Sequence, residues 1–398
     1  MAFFFLCLFT FVMFFQPAYV FEWLAPYRPY RYSAILAIVS FVIFGQKSDI
    51  PLLSISNVRY FFLFVGMQIV SAAAIWIHGA IDLFHSTWLN LLIIYIIIVK
   101  TCTDERKIKI IILMIVAALS YLSYWSVSHY VANYYPGRRS IGFGWYENPN
   151  DLVMILNAVI PLILGLAELS RSTFVRYTSL GIATLLAFNV LISASRNGLL
   201  GLMAVGCFSL LFMKRVKGFF RYSILALLIV SVITIGLANV FTRSDLMPGK
   251  LTGDSSSENR IVQWKACIRM VLHHPLLGVG PNEARFQARD YGGVRGLMPH
   301  NTLVQVFAET GIPGGLFFVM CTIYPLWEAW KFFKIKKNRN RMQEPSVIIY
   351  KYLVIALTGF WICAFFSNRV YFKILYVLIA LTTAIRVNVL DKQANITQ

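Results

Sequence analysis

The histidine of "GLMPHNTLVQVFAETGIPGG", residues 296–315, stands between a proline and an asparagine at the mouth of a long apolar run. The chain has only six histidines. An unperturbed imidazole titrates near 6.5, so His300 suits a general base near neutral pH, although it could equally be an ordinary residue at a helix start. Asn301 is the better candidate for that second duty, because its side chain can cap a helix over "TLVQVFAETG". Arg196, in "SASRNG", sits almost inside an apolar hairpin. An arginine at membrane depth costs about 2.5–3.5 kcal/mol; it either snorkels to headgroups or stands as a fixed cation for a phosphate. Arg260 opens a helix after "SSSEN" and shares a face with Trp264, four residues on. A first-turn cation opposes the helix dipole, and an anionic ligand would resolve that conflict; a solvated arginine is the plainer alternative. Arg138 and Arg139 form a further basic point or a solvated doublet. Glu309 lies nine residues after His300, about 2.5 turns along, and is read as support facing away from it. His273 and His274, before Pro275, read as a helix end.

The elements that hold these residues follow from composition. The 398 residues are 58% hydrophobic and 13% charged, with mean hydropathy +0.68; a soluble domain carries about 25% charged residues. The fold class expected is an all-α polytopic membrane protein, since lipid leaves an open chain no other way to satisfy its backbone. Segments of about 20 apolar residues place about twelve spans at 2–17, 32–45, 60–78, 83–99, 108–126, 151–168, 175–193, 198–213, 222–241, 303–330, 347–366 and 370–387. "MAFFFLCLFTFVMFF" has no basic n-region or small-residue cleavage site and is read as the first span. "GIPGG" at 311–315 should split 303–330 into a short surface helix and the span proper.

The net charge of +19 is mostly a matter of topology, so nucleic acid is not an expected partner. With both termini cytoplasmic, about 21 of the Lys and Arg fall in inside loops and the C-terminal tail, where they meet membrane lipids; about 7 fall in short outside loops and about 8 in one long one. That long loop, 242–302, begins with a flexible polar stretch. It continues as an amphipathic helix with Ile261, Trp264, Ile268 and Leu272 at helical spacing, expected to lie on the bilayer. The six cysteines show no metal spacing and read mainly as buried thiols. There is no HExxH motif and no acidic pair outside to hold a divalent ion. "GVGPN" lacks the lysine and the βαβ setting of a nucleotide loop. Carboxylates are nearly absent from the spans, which argues against an ion-coupled transporter.

Four stretches taken together, "GWYENPNDLVMIL", "SASRNGLLGL", "NRIVQWKACIRMVLHHPLLGVGPNEARF" and "MPHNTLVQVFAETGIPGG", resemble the O-antigen ligase and O-antigen polymerase superfamily in order and spacing. They cover most of 145–315. The resemblance divides the chain into N-terminal helices, 1–145, and an O-antigen ligase-like catalytic region, 146–398, that includes a periplasmic loop at 242–302. It implies a fold similar to multi-span C-type glycosyltransferases, but metal-independent and without other cofactors. It implies transfer of a glycan from undecaprenyl diphosphate to an acceptor hydroxyl at the periplasmic face of a bacterial inner membrane. By motif, His300 would be the base, Arg196 and Arg260 would hold the diphosphate with Arg138 and Arg139 as further cations, and Asn301, Trp264 and Glu309 would give support. In-line attack would invert the anomeric carbon. The acceptor would be a lipid A core sugar for a ligase, or a new lipid-linked repeat unit for a polymerase. A protein O-oligosaccharyltransferase and a lipid-linked glycan flippase are less favoured, the second because the basic residues cluster in loops on one face.

Overall fold

In the computed structural model every regular element among the described residues is helical. Those residues are 1–45, 48–135, 137–212, 255–335 and 341–396; the expected span at 222–241 and the polar stretch 242–254 lie outside them. In chain order the main helices are α1 (Ala2–Phe15), α2 (Pro29–Phe44), α3 (Ser56–Ile75), α4 (Ile77–Thr101), α5 (Glu105–Ala132), α6 (Pro149–Leu169), α7 (Thr173–Ile192), α8 (Arg196–Phe212), α9 (Ser255–His273), α10 (Thr302–Lys334), α11 (Pro345–Ala364) and α12 (Lys373–Gln393). Eight of them, α3 to α7 and α10 to α12, are long and apolar enough to cross a membrane. The expected spans 2–17, 32–45 and 198–213 form shorter apolar helices of 14, 16 and 17 residues. At 1.5 Å per residue these reach about 21–26 Å, short of a hydrocarbon core of about 30 Å.

Local signals set the helix starts. Asp104 accepts a hydrogen bond from Lys107 N–H at 3.0 Å to cap α5. Asn148 caps α6, whose first residue is Pro149, and Asn301 accepts from Val304 N–H at 3.0 Å to cap α10. α6 is mostly apolar and mostly buried, packed by α7, α8 and α11. α8 approaches it closely through Gly198, where an added Cβ would come within 2.7 Å of the Val153 side chain.

The polar residues "SSSEN" are themselves helical, so α9 begins at Ser255 and Arg260 lies in its second turn. The first-turn conflict with the helix dipole expected for Arg260 therefore does not arise, because that effect fades beyond the first turn. α9 turns a different face from its apolar row to the protein. Gln263, Ala266, Cys267 and Met270 are buried, the last two in a small core with Val279, Ala284, Ala288 and Ala308, while Ile261, Ile268 and Leu272 remain exposed.

α10 breaks where "GIPGG" begins: Gly311 takes φ 67° and ψ −172°, a region open essentially to glycine alone. The break leaves the carbonyls of Ala308 and Glu309 without their usual partners, since Ile312 N–H turns to Pro275 O at 2.8 Å and Pro313 has no N–H. "GVG" supplies the replacements. Val279 N–H and Gly280 N–H each donate to these carbonyls at 2.9 Å, and the Ser71 hydroxyl adds a bond to the second at 2.8 Å. This glycine-rich stretch is thus a splint for a broken helix. A Cβ on Gly311 would lie 2.6 Å from the Leu276 carbonyl carbon. Gly311→Ala is expected to lower unfolding stability in detergent by about 1–3 kcal/mol; Gly66→Ala, with open space at its Cβ position, is the control that should change little.

Candidate functional site

Arg196 is the first residue of α8 and is delivered by a strained hairpin. Ala194 adopts a left-handed backbone, φ 49°, which costs a non-glycine residue about 1–2 kcal/mol. The hairpin is braced by a hydrogen bond from the Ser195 hydroxyl to Asn150 Oδ1 at 2.8 Å and one from Arg139 Nε to Ser193 O at 2.7 Å. His300 is likewise left-handed, with φ 50°. Its loop is held on both sides. Trp264 Nε1 donates to Pro299 O at 2.6 Å, and the backbone N–H of Asn301 donates to Asn368 Oδ1 at 3.1 Å. Gln263 adds bonds to the Leu297 and Val294 carbonyls. α9 is therefore the brace of the histidine loop, and it carries Arg260 on the same helix.

One short turn, 365–369, ties the two strained loops together. Asn197 Nδ2 donates to Phe366 O at 2.9 Å and to the Ser367 hydroxyl at 3.2 Å, which anchors the Arg196 hairpin. The Thr302 hydroxyl bonds to Ala364 O and Ser367 O at 2.9 and 2.6 Å, Asn368 takes the Asn301 N–H, and Phe365 lies edge-on to Trp264. Arg369 closes the turn. Its guanidinium pairs with Asp151 at the start of α6 and donates to Asn368 O at 2.7 Å. α8 and α10 both start here, so the positive ends of two helices meet at the cluster.

The electrostatics follow from this convergence. Burial first, then the Arg260 and Arg369 charges, push the His300 imidazole below its usual value near 6.5, so the ring stays neutral at neutral pH. Burial and the neighbouring Arg196 push Arg260 down in the same way. Two buried N–H groups of the cluster, Arg260 Nε and Asn368 Nδ2, have no acceptor among the described residues. Buried donors without acceptors cost about 1–3 kcal/mol each. An anion placed between the arginines would satisfy both the donors and the charge.

The remaining sequence candidates divide. Arg139 joins the Arg196 hairpin, but Arg138 turns back to its own helix, donating to Asn133 O at 2.7 Å and meeting His129 Nδ1 at 3.2 Å. Trp264 and Asn301 hold the histidine loop. Glu309 is buried elsewhere, hydrogen-bonded to Gln305 at 2.9 Å beside the GVGPN turn. His273 and His274 close α9, the first on Arg269 O and the second on the Tyr291 hydroxyl, both at 2.8 Å. The turn 365–369 and Asp151 were not among the sequence candidates. Their only signal was an arginine in the short segment between two apolar runs.

These are the residues through which the chain can be compared with known proteins. Residues 181–319 match the O-antigen ligase family. That segment holds Arg196, Arg260 and His300, so the superfamily resemblance is supported where the cluster is built. "GWYENPNDLVMIL", Arg138, Arg139, Asp151 and the turn 365–369 lie outside the O-antigen ligase match. No curated protein matches the chain.

Arg369→Gln removes one cation beside His300 and leaves the Asp151 carboxylate unpaired; both changes favour the imidazolium. The His300 titration, followed by imidazole NMR, is expected to move to higher pH. An unmoved titration would contradict the placement of Arg369.

Proposed function

We propose that the chain is a membrane glycosyltransferase that moves a glycan from an undecaprenyl diphosphate carrier to an acceptor hydroxyl. The observation that carries the reading is the neutral, half-buried His300 beside half-buried Arg260, whose Nε lacks an acceptor, with Arg196 and Arg369 as further cations. As the glycosidic bond breaks, negative charge grows on the leaving diphosphate, and preorganised guanidinium groups stabilise it without needing to reorganise. They take the charge-neutralising part that a divalent ion plays elsewhere, so the reaction is read as metal-independent. His300 accepts the proton of the attacking hydroxyl, which a cationic imidazole could not do. Attack opposite the diphosphate inverts the anomeric carbon.

The site belongs on the periplasmic side of a bacterial inner membrane, with both chain termini cytoplasmic; the basic loops at the opposite helix ends support that orientation. The exposed row Ile261, Ile268 and Leu272 on α9 is what a bilayer surface would cover, keeping the cluster at the depth where a lipid diphosphate arrives. Among acceptors, we place a lipid A core sugar first and a lipid-linked repeat unit second; a deletion strain that loses all attached polymer supports the first, and one that retains a single attached repeat supports the second.

The test is transfer from a polyprenyl diphosphate-linked glycan in proteoliposomes. His300→Ala is expected to lower the rate about 10²–10⁴-fold with the protein still folded, and Arg260→Ala about 10²–10³-fold. Normal transfer by His300→Ala would sink the base assignment.

A further inference from the structure

At the end of α10 opposite His300 lies a cavity of about 260 Å³ between the start of α3, the later turns of α10 and the end of α12. Its walls combine three apolar residues, Ile50, Ile55 and Val387, with a set of polar groups that do not complete one another. Asn57 is only 5% exposed. Its Nδ2 donates to the Thr383 hydroxyl at 3.1 Å, but its Oδ1 accepts nothing among the described residues. Arg386 pairs through one terminal nitrogen with Asp391, while its buried Nε–H finds no acceptor. Glu328 brings a second carboxylate to the same cavity. Arg386 begins a π turn, Arg386–Leu390, a wider coil that recurs at functional sites.

The cavity therefore offers an acceptor and a cationic donor that have no partner among the described residues, and a second carboxylate that already accepts from the Tyr324 hydroxyl, at a helix end where lipid headgroups reside. We propose that it binds the phosphoethanolamine headgroup of a phospholipid. The primary ammonium would donate to Asn57 Oδ1 and Glu328, and the phosphate would accept from Arg386 Nε–H. The acyl chains would leave along Ile50, Ile55 and Val387. Burying an unpaired polar group is costly, so a headgroup that satisfies both ends is selected over one that satisfies one end. Phosphatidylglycerol supplies no ammonium, and phosphatidylcholine supplies an ammonium with no N–H to donate.

The test is native mass spectrometry of the purified full chain with the three phospholipids, matched in acyl chains. Phosphatidylethanolamine is expected to be retained about tenfold better than either of the others; Glu328→Gln should remove most of that preference, and Arg386→Gln should lower the retention of all three lipids. The comparison of lipids on the unaltered protein needs no variant, so it decides the matter even if a variant misfolds. Equal retention of phosphatidylcholine, or an undiminished preference in a folded Glu328→Gln protein, would overturn the proposal. Equal displacement by soluble glycerophosphoethanolamine at the same concentration would assign the cavity to a free headgroup and overturn the lipid assignment.

Discussion

The structure depends on holding positive charge together. Arg260 and Arg369 act on the half-buried His300 imidazole and Arg196 acts on Arg260, and each lowers the affinity of its neighbour for a proton. Asp151, paired with Arg369, is the acidic partner that the cluster carries in the described residues. Like charges brought out of water repel, and the low-dielectric surroundings strengthen that repulsion. Two N–H donors of the same cluster, Arg260 Nε and Asn368 Nδ2, have no acceptor among the described residues.

The strain is met from elsewhere in the chain. Ala194 and His300 both occupy left-handed conformations, and both are fixed by hydrogen bonds to residues remote in sequence. The turn 365–369 serves both loops; α9 adds bonds to the histidine loop through Trp264 and Gln263, and Arg139 and Asn150 add bonds to the hairpin. The break in α10 is managed in the same way, with backbone N–H groups of "GVG" taking the carbonyls that Gly311 and Pro313 release. Rigid packing beneath, centred on the mostly buried α6, gives these loops a fixed base. Side chains carried on strained loops need such support to keep a fixed geometry.

Much of the arrangement was legible in the sequence because it is local. Hydrophobic run lengths located the helices, Asn301 announced its cap, and the Gly-Ile-Pro-Gly-Gly stretch announced its break. Arg196, Arg260 and His300 stood out by residue type and setting. The rest is tertiary. Asn197 to Ser367, Asn301 to Asn368 and Asp151 to Arg369 join residues separated by 170, 67 and 218 positions, and no periodicity reports such pairs. The face of α9 that packs against the protein was not legible, because alanine, cysteine and glutamine form it while the larger apolar residues face outward. The helix-dipole argument for Arg260 does not hold, because α9 begins at Ser255.

The most direct measurement is the affinity of the purified protein for undecaprenyl diphosphate, compared among the unaltered chain, Arg196→Gln, Arg260→Gln and the double variant. If one diphosphate bridges the two guanidinium groups, each single change weakens binding and the combined loss departs from the sum of the two. The unaltered chain should also prefer the diphosphate to undecaprenyl monophosphate. Unchanged affinity in Arg260→Gln, or equal binding of monophosphate and diphosphate, would contradict the account.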